Sequence, residues 1–263
     1  MGDGRKGAAE EESLMALLEL HEVTKCFGGL TANEAISFAV PEGELLGVIG
    51  PNGAGKTTLF NCITGHHMID AGRIVFNGQD ITRLKAHEVA RLGIARTFQI
   101  SVAAGDLNVR ENIMVGCFMR TRSRTRAREH ADRILKGFGL EHLAGQFVNE
   151  LPTAAQKKVS MATALGTEPR LLLLDEVAAG LTPSEVEDIV ASIRFIHEDL
   201  GITVMLIEHI MEMVMRISHR VVVLDYGRKI AEGDPQSVIR DPNVIKAYLG
   251  SRYEPRMDTE LQT

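Results

Sequence analysis

The sequence predicts an α/β fold built on a largely parallel sheet. Three observations carry that expectation. Short apolar runs alternate with stretches of helical periodicity along most of the 263 residues. Four consecutive leucines, Leu171–Leu174, read as a strand buried on both faces, the habit of a central parallel strand. A glycine-rich turn at residues 50–55 stands between an apolar strand and the start of a helix.

In chain order, residues 17–25 and 31–40 have strand character, and Glu44–Ile49 is a stronger strand. A helix follows from Lys56 to about Thr64. Residues 72–82, GRIVFNGQDIT, place Asn77-Gly78 between strand-like flanks, a hairpin signal because both residues accept the positive φ of a tight primed turn. From about Ala86 to Leu165 the pattern is mostly helical, which implies an inserted helical subdomain at about 100–165. Then come strand Leu171–Leu174, helix Pro183–Asp199, strand Ile202–Glu208, helix Ile210–Ile217 and strand Arg220–Asp225. DPNVIKAYLG reads as a short closing helix. No internal repeat is present.

Composition narrows the function classes. A hydrophobic content of 44% fills a core, and a net charge of −6 gives no general support for nucleic-acid binding. No apolar run approaches the roughly 20 residues that span a bilayer. The first 15 residues lack the apolar segment of a signal peptide and read as a disordered tail, and residues 251–263 form a C-terminal tail. Cys26, Cys62 and Cys117 have no metal or redox spacing, which suits a reducing compartment and a packing role.

The sharpest chemistry is Gly50-Pro51-Asn52-Gly53-Ala54-Gly55-Lys56-Thr57-Thr58, a G-x-x-x-x-G-K-[ST] loop in the right context. Its glycines let the backbone turn its N–H groups onto phosphate oxygens, and the helix N-terminus behind it favours an anion. Lys56 would reach the β- and γ-phosphates, and the Thr57 hydroxyl would ligate Mg²⁺. In LLLLDE, Asp175 at the strand end would hold Mg²⁺ through water, and Glu176 would polarise the attacking water as general base. Gln99 in RTFQ and His209 in VMLIEH complete the set, with a His209 ring nitrogen able to reach a γ-phosphate.

Taken together, these residues resemble the ATP-binding subunits of ABC transporters over residues 16–250, and more closely the importer ATPases for branched-chain amino acids. The stretches that carry the resemblance are FGGLTANEAISF, IGPNGAGKTTLFNCITG, GIARTFQ, LLLLDEVAAGLTPSE, LIEHIMEMVMRISHRVVVLDYG and VIKAYLG. It implies a P-loop NTPase (RecA-like) core with an antiparallel β region and a helical subdomain. It further implies that Phe27 stacks on adenine, that Gln99 ligates Mg²⁺ and senses the membrane subunit, and that His209 is the switch histidine. The segment Ala179–Thr182 would cross a dimer interface. ATP and Mg²⁺ are the implied cofactors. Integral membrane permease subunits, a second ATP-binding subunit and, indirectly, an external binding protein are the implied partners, at the cytoplasmic face of the membrane. Branched-chain amino acids are the expected cargo, with urea or short amides as the alternative. A nontransport member of the family would carry two such units or a long coiled-coil insertion, and a non-hydrolysing regulatory subunit is at odds with intact Glu176 and His209.

Three positions depart from the family. Val177 follows Glu176 where Pro is usual, and Ile210 follows His209 where an acid is usual. The third departure is larger: the L-S-G-G-Q signature is replaced by Leu151-Pro152-Thr153-Ala154-Ala155. In the family, the signature serine hydroxyl and glycine amides grip the γ-phosphate bound to the opposite subunit. Pro152 offers neither hydroxyl nor N–H, and Ala154 puts a methyl group where backbone must approach phosphate. Thr153 and Gln156 fit an S/T-x-x-E/Q capping box, which would satisfy the helix's own donors; Thr153 replacing the serine is the alternative. The expectation is a heterodimer with one competent and one degenerate site. Finally, the arginines of RTRSRTRAR, residues 120–128, alternate and so spread around a helix, as a solvated surface; contact with anionic lipid or nucleic acid is the alternative.

Overall fold

The computed structural model describes residues 16–97 and 106–249. The two expected tails and Gln99 lie outside the described residues. Two sheets form. A four-stranded antiparallel sheet, in the order β2-β1-β4-β5, comprises β1 (Ala16–Phe27), β2 (Leu30–Pro41), β4 (Ala71–Phe76) and β5 (Gln79–Asp80). A six-stranded sheet, in the order β10-β9-β3-β8-β7-β6, comprises β3 (Leu45–Ile49), β6 (Ile94–Arg96), β7 (Leu171–Asp175), β8 (Thr203–Ile207), β9 (Arg220–Asp225) and β10 (Arg228–Gly233). Its pairs are parallel except for β9 with β10, which are antiparallel.

The leucine run explains itself in this setting. Successive strand side chains point to opposite faces, and both faces of the six-stranded sheet are covered. Leu171 and Leu173, with Leu46, Val48, Met205 and Val222, join the core beneath the antiparallel sheet. Leu172 and Leu174, with Leu45, Ile49, Val204 and Val221, join the core beneath the helices. All four leucines are 0 % exposed, each stabilising the fold by about 1.5–3 kcal/mol relative to an exposed position.

Helix starts follow local chemistry. The helix α1 (Lys56–Ile63) leaves the glycine-rich turn, and α2 (Ala86–Leu92) precedes β6. Between β6 and β7 come α3 (Val109–Cys117), α4 (Arg124–Phe138) and α5 (Thr153–Leu165). Asn108 caps α3, accepting from the Glu111 N–H while the Glu111 carboxylate accepts from the Asn108 N–H. The reciprocal pair Thr182 and Glu185 starts α6 (Pro183–Arg194), which continues into a π-helical turn at Phe195–Asp199. The helix α7 (Met211–Ile217) follows β8, and the short α8 (Pro235–Val238) and α9 (Pro242–Leu249) close the described chain.

The hairpin is as expected: Asn77 and Gly78 have φ of +49° and +74° between β4 and β5. Two expectations need correction. The mostly helical pattern from about Ala86 is interrupted, because Ile94–Arg96 pairs with Leu171–Leu173 as the edge strand of the core sheet. The capping box at Thr153 does not form either. The Pro152 carbonyl accepts the first helical bond, from the Gln156 N–H at 3.0 Å, so Pro152 holds the N-cap position and Thr153 is already inside the helix. The Gln156 side chain donates to the Leu151 carbonyl at 2.8 Å instead. The amides of the first turn of α5 therefore receive no side-chain cap.

Candidate functional site

The phosphate loop is shaped by contacts that only glycine permits. Gly55 has φ +97°, and a Cβ there would lie 2.3 Å from the Ala32 carbonyl oxygen. Gly50 has φ +147°, and a Cβ there would sit 2.0 Å from the Leu224 carbonyl oxygen. Around this turn the buried Lys56 curls back, donating from Nζ to the carbonyls of Gly50 at 2.7 Å and Pro51 at 3.0 Å. Burial lowers its pKa, while Glu176 and Asp175 pull it upward. An ammonium bonded only to loop carbonyls has a charge left to neutralise, and an arriving phosphate would supply the opposite sign.

The loop opens on a cleft of about 570 Å³, lined by residues that include Phe27, Lys56, Thr57, Glu176, His209 and Tyr226. Phe27 is 44 % exposed rather than packed in the core, with His67 edge-on to its ring at 5.2 Å and Lys25 Nζ 5.1 Å from its centroid. A half-exposed aromatic face at the rim of such a cleft suits a planar base. Asn52, Gly53, Ala54 and Thr58 also line the cleft.

The ends of β7 and β8 bring the acids to the loop. Glu176 adopts φ +50°, a left-handed conformation that side-chain-bearing residues seldom take. Its N–H donates to the Ile207 carbonyl at 2.9 Å, and its Oε1 lies 2.7 Å from His209 Nε2. Thus the two residues expected to act on the attacking water and the γ-phosphate meet directly. Asp175 is 1 % exposed, and its Oδ2 accepts from Arg96 Nη2 at 2.6 Å while its N–H donates to Thr97 Oγ1 at 3.2 Å. Burial raises the Asp175 pKa, and Arg96 opposes that rise. Asp175 Oδ1 is buried with no hydrogen-bond partner. An orphaned buried carboxylate oxygen at the end of β7 fits a hydrated divalent cation, and the exposed Thr57 of the phosphate loop carries a hydroxyl of the kind such a cation takes. Gln99, the third expected metal ligand, lies outside the described residues.

Several residues of this site escaped sequence reasoning. Arg96 ties Asp175 to Asn61 of α1, donating to Asn61 Oδ1 at 2.6 Å, and its guanidinium lies 5.8 Å from the Phe60 centroid. Its place in RTFQ was the available signal. Asn33, fully buried, donates to the Gly55 carbonyl at 3.1 Å. Lys157 and Glu208 grip the backbone after Glu176, and only the acid–histidine adjacency of Glu208 hinted at it. Of the arginine-rich segment, Arg120 is tied to backbone, donating to the Thr167 carbonyl at 2.6 Å; Arg122, Arg124, Arg126 and Arg128 are exposed. At the signature position, Pro152 and Thr153 are exposed at the start of α5.

Comparison with known proteins bears on this geometry. A family model described as ABC transporter matches residues 33–179, and one described as branched-chain amino acid ATP-binding cassette transporter matches residues 228–254. The high-affinity branched-chain amino acid transport ATP-binding protein BraF of Pseudomonas aeruginosa is 38% identical over 249 residues, covering 89% of this chain and 98% of that protein. Its Escherichia coli counterpart LivG is 36% identical with the same coverage. A nucleotide-free ATP-binding cassette from an ABC transporter superposes with a TM-score of 0.82 at 32% identity, covering 90% of this chain and 100% of that one. A dimeric cassette bound to ADP and Pi in a post-hydrolysis state superposes with a TM-score of 0.75 at 25% identity, over 83% and 98% of the two chains.

Proposed function

The chain belongs to the ABC transporter ATP-binding family, whose cassettes hydrolyse ATP to power transport, and from that premise we propose that it energises an importer of branched-chain amino acids. In this reading it works at the cytoplasmic face of the membrane with permease subunits, which form the translocation path, and with a second ATP-binding subunit. Among the described residues no helix is long and apolar enough to cross a membrane, which is consistent with a path made by other chains. The observation that carries the cargo assignment is the match of residues 228–254 to the branched-chain family model, a segment separate from the catalytic motifs.

Each side chain has a defined task in hydrolysis. Phe27 receives the adenine, and the amides of residues 50–58 surround the phosphates. Lys56 transfers its hydrogen bonds from the Gly50 and Pro51 carbonyls to the β- and γ-phosphate oxygens. Thr57 and Asp175 would hold Mg²⁺, which would supply charge neutralisation for the phosphates; Gln99, the further expected ligand, lies outside the described residues. Glu176 accepts the proton of the attacking water, and His209, already bonded to Glu176, orients that carboxylate and faces the γ-phosphate.

The signature position argues for asymmetry between two sites. Pro152 removes a hydroxyl and an amide donor from the surface that would meet the opposite subunit's ATP, and Ala154 adds a methyl group to it. This chain's own site keeps Lys56, Asp175, Glu176 and His209. We therefore assign turnover to the site built on this chain's phosphate loop, completed by the partner's signature. The test is ATP hydrolysis by reconstituted complexes carrying either Glu176→Gln or the equivalent change in the second ATP-binding subunit. Loss of turnover with Glu176→Gln is expected; loss only with the other change would overturn the assignment.

A further inference from the structure

The four residues after β7 are held from two sides by a pair of charged groups that do not line the nucleotide cleft. From one side comes Lys157, in the second turn of α5. Its Nζ donates to the Ala179 carbonyl at 2.5 Å and to the Glu176 carbonyl at 3.3 Å. From the other comes Glu208, the residue after β8, which is 1 % exposed. Its Oε1 accepts the Ala178 N–H at 2.7 Å, and its Oε2 accepts the His209 N–H at 3.3 Å. An ammonium thus takes the carbonyls of this segment and a carboxylate takes its amide.

Both groups are out of place unless they act there. Burial lowers the Lys157 pKa and raises that of Glu208; each is partly restored by the other's charge and, for Glu208, by the two amides it accepts. Charged groups brought this far from water are held by what they bond. What they bond is the backbone of His209 and of the 176–179 segment, which opens on Glu176 at φ +50°. A residue in that region persists when its surroundings over-determine it. The Glu208 carboxylate reaches the backbone on both sides of the Glu176–His209 contact at once.

We propose that Lys157 and Glu208 are positioning residues for ATP hydrolysis, fixing the 176–179 backbone so that the Glu176 carboxylate stays in register with His209. Because Lys157 rides on the helix opened by residues 151–156, the same bonds tie the partner-facing surface of this chain to its own general base. This inference rests on the catalytic role assigned to Glu176.

The experiment uses the full chain assembled with its membrane subunits in proteoliposomes, comparing wild type with Lys157→Met, Lys157→Gln, Lys157→Arg and Glu208→Gln. Lys157→Met and Glu208→Gln are expected to lower kcat on the order of tenfold or more, as small misplacements of a reacting group do. KM for ATP stays within about twofold, since neither residue lines the cleft. Lys157→Gln falls between, and Lys157→Arg, which keeps charge and donors, recovers most of kcat. Amide hydrogen exchange across residues 176–181 quickens in Lys157→Met and Glu208→Gln while the core of α5 is unchanged. Unchanged kcat overturns the proposal, and so does a parallel fall in kcat, ATP affinity and melting temperature that arginine does not rescue. Glu176→Gln runs alongside. If it abolishes turnover while the Lys157 and Glu208 variants do not, the positioning role alone fails. If it leaves turnover intact, the catalytic reading of Glu176 fails first.

Discussion

Arg96 and Asp175 form an ion pair of 2.6 Å between Nη2 and Oδ2, with side chains 5 % and 1 % exposed. The pair joins the end of β6 to the end of β7. It leaves the second Asp175 oxygen buried with no hydrogen-bond partner, and that is the oxygen proposed above for Mg²⁺.

Removing one side of that pair leaves a buried charge uncompensated. Arg96→Met is expected to destabilise the chain by about 3–5 kcal/mol, read as a lower urea midpoint at unchanged slope. Arg96→Lys keeps the charge but loses the fork that reaches Asn61 and Asp175 together, and should recover only part of the loss. An unfolding midpoint equal to wild type for Arg96→Met would show that the pair contributes nothing net.

His209→Ala is expected to reduce kcat on the order of a hundredfold or more, with MgATP affinity little changed because Lys56 and the loop amides remain. The informative comparison is equilibrium binding of a nonhydrolysable ATP analogue against steady-state turnover in the same complex. Equal losses in both would assign His209 to nucleotide binding instead.

Repair of the signature position tests the asymmetry directly. In a complex silenced at this chain's own site by Glu176→Gln, adding Pro152→Ser and Ala154→Gly should raise residual turnover about tenfold, since it returns a hydroxyl and close backbone access to the opposite γ-phosphate. Serine is also a favoured N-cap residue, so the start of α5 is not lost. Residual turnover that does not move would place the limit elsewhere.

The thiols give a pH prediction with a definite sign. Burial pushes Cys62 and Cys117 from an ordinary 9.0 to about 11, so both stay protonated in the fold where they would ionise in the unfolded chain. Folded pKa values above unfolded ones mean that this contribution to stability is fully present below pH 9.0 and is withdrawn as pH rises toward about 11. Chemical denaturation between pH 8 and 11 should show that loss, and Cys62→Ala with Cys117→Ala should flatten it. Under native conditions at pH 8, a thiol reagent should label the half-buried Cys26 well before the other two.

How much of this was legible depended on the range of the interactions. The phosphate loop was readable because glycine placement, lysine and threonine act within nine residues of one another. The leucine run was readable because burial on both faces leaves no other reading for a strand of that length. By contrast β6 is three residues long, too short for any periodicity to show, and it exists because Leu171–Leu173 offers it a ladder. The strand β10 was missed for a related reason: its exposed and half-buried residues carry no apolar alternation, and its pairing with β9 supplies the strand. The Thr153 capping box failed through competition within one turn, Pro152 taking the N-cap position one residue earlier. Arg96, Lys157 and Glu208 reach partners up to 79 residues away in sequence, and no local pattern encodes such distances.

The turn between β9 and β10 is hydrogen-bonded to the phosphate loop. Gly227 donates to the Ala54 carbonyl at 3.1 Å and accepts from the Glu34 N–H at 2.8 Å, while Asn33 holds the Gly55 carbonyl. Two segments, this turn and β2, thus brace the adjacent loop residues Ala54 and Gly55. The loss of conformational freedom that phosphate binding would otherwise demand has already been met when the chain folds, so nucleotide affinity can be realised without an ordering penalty at the loop.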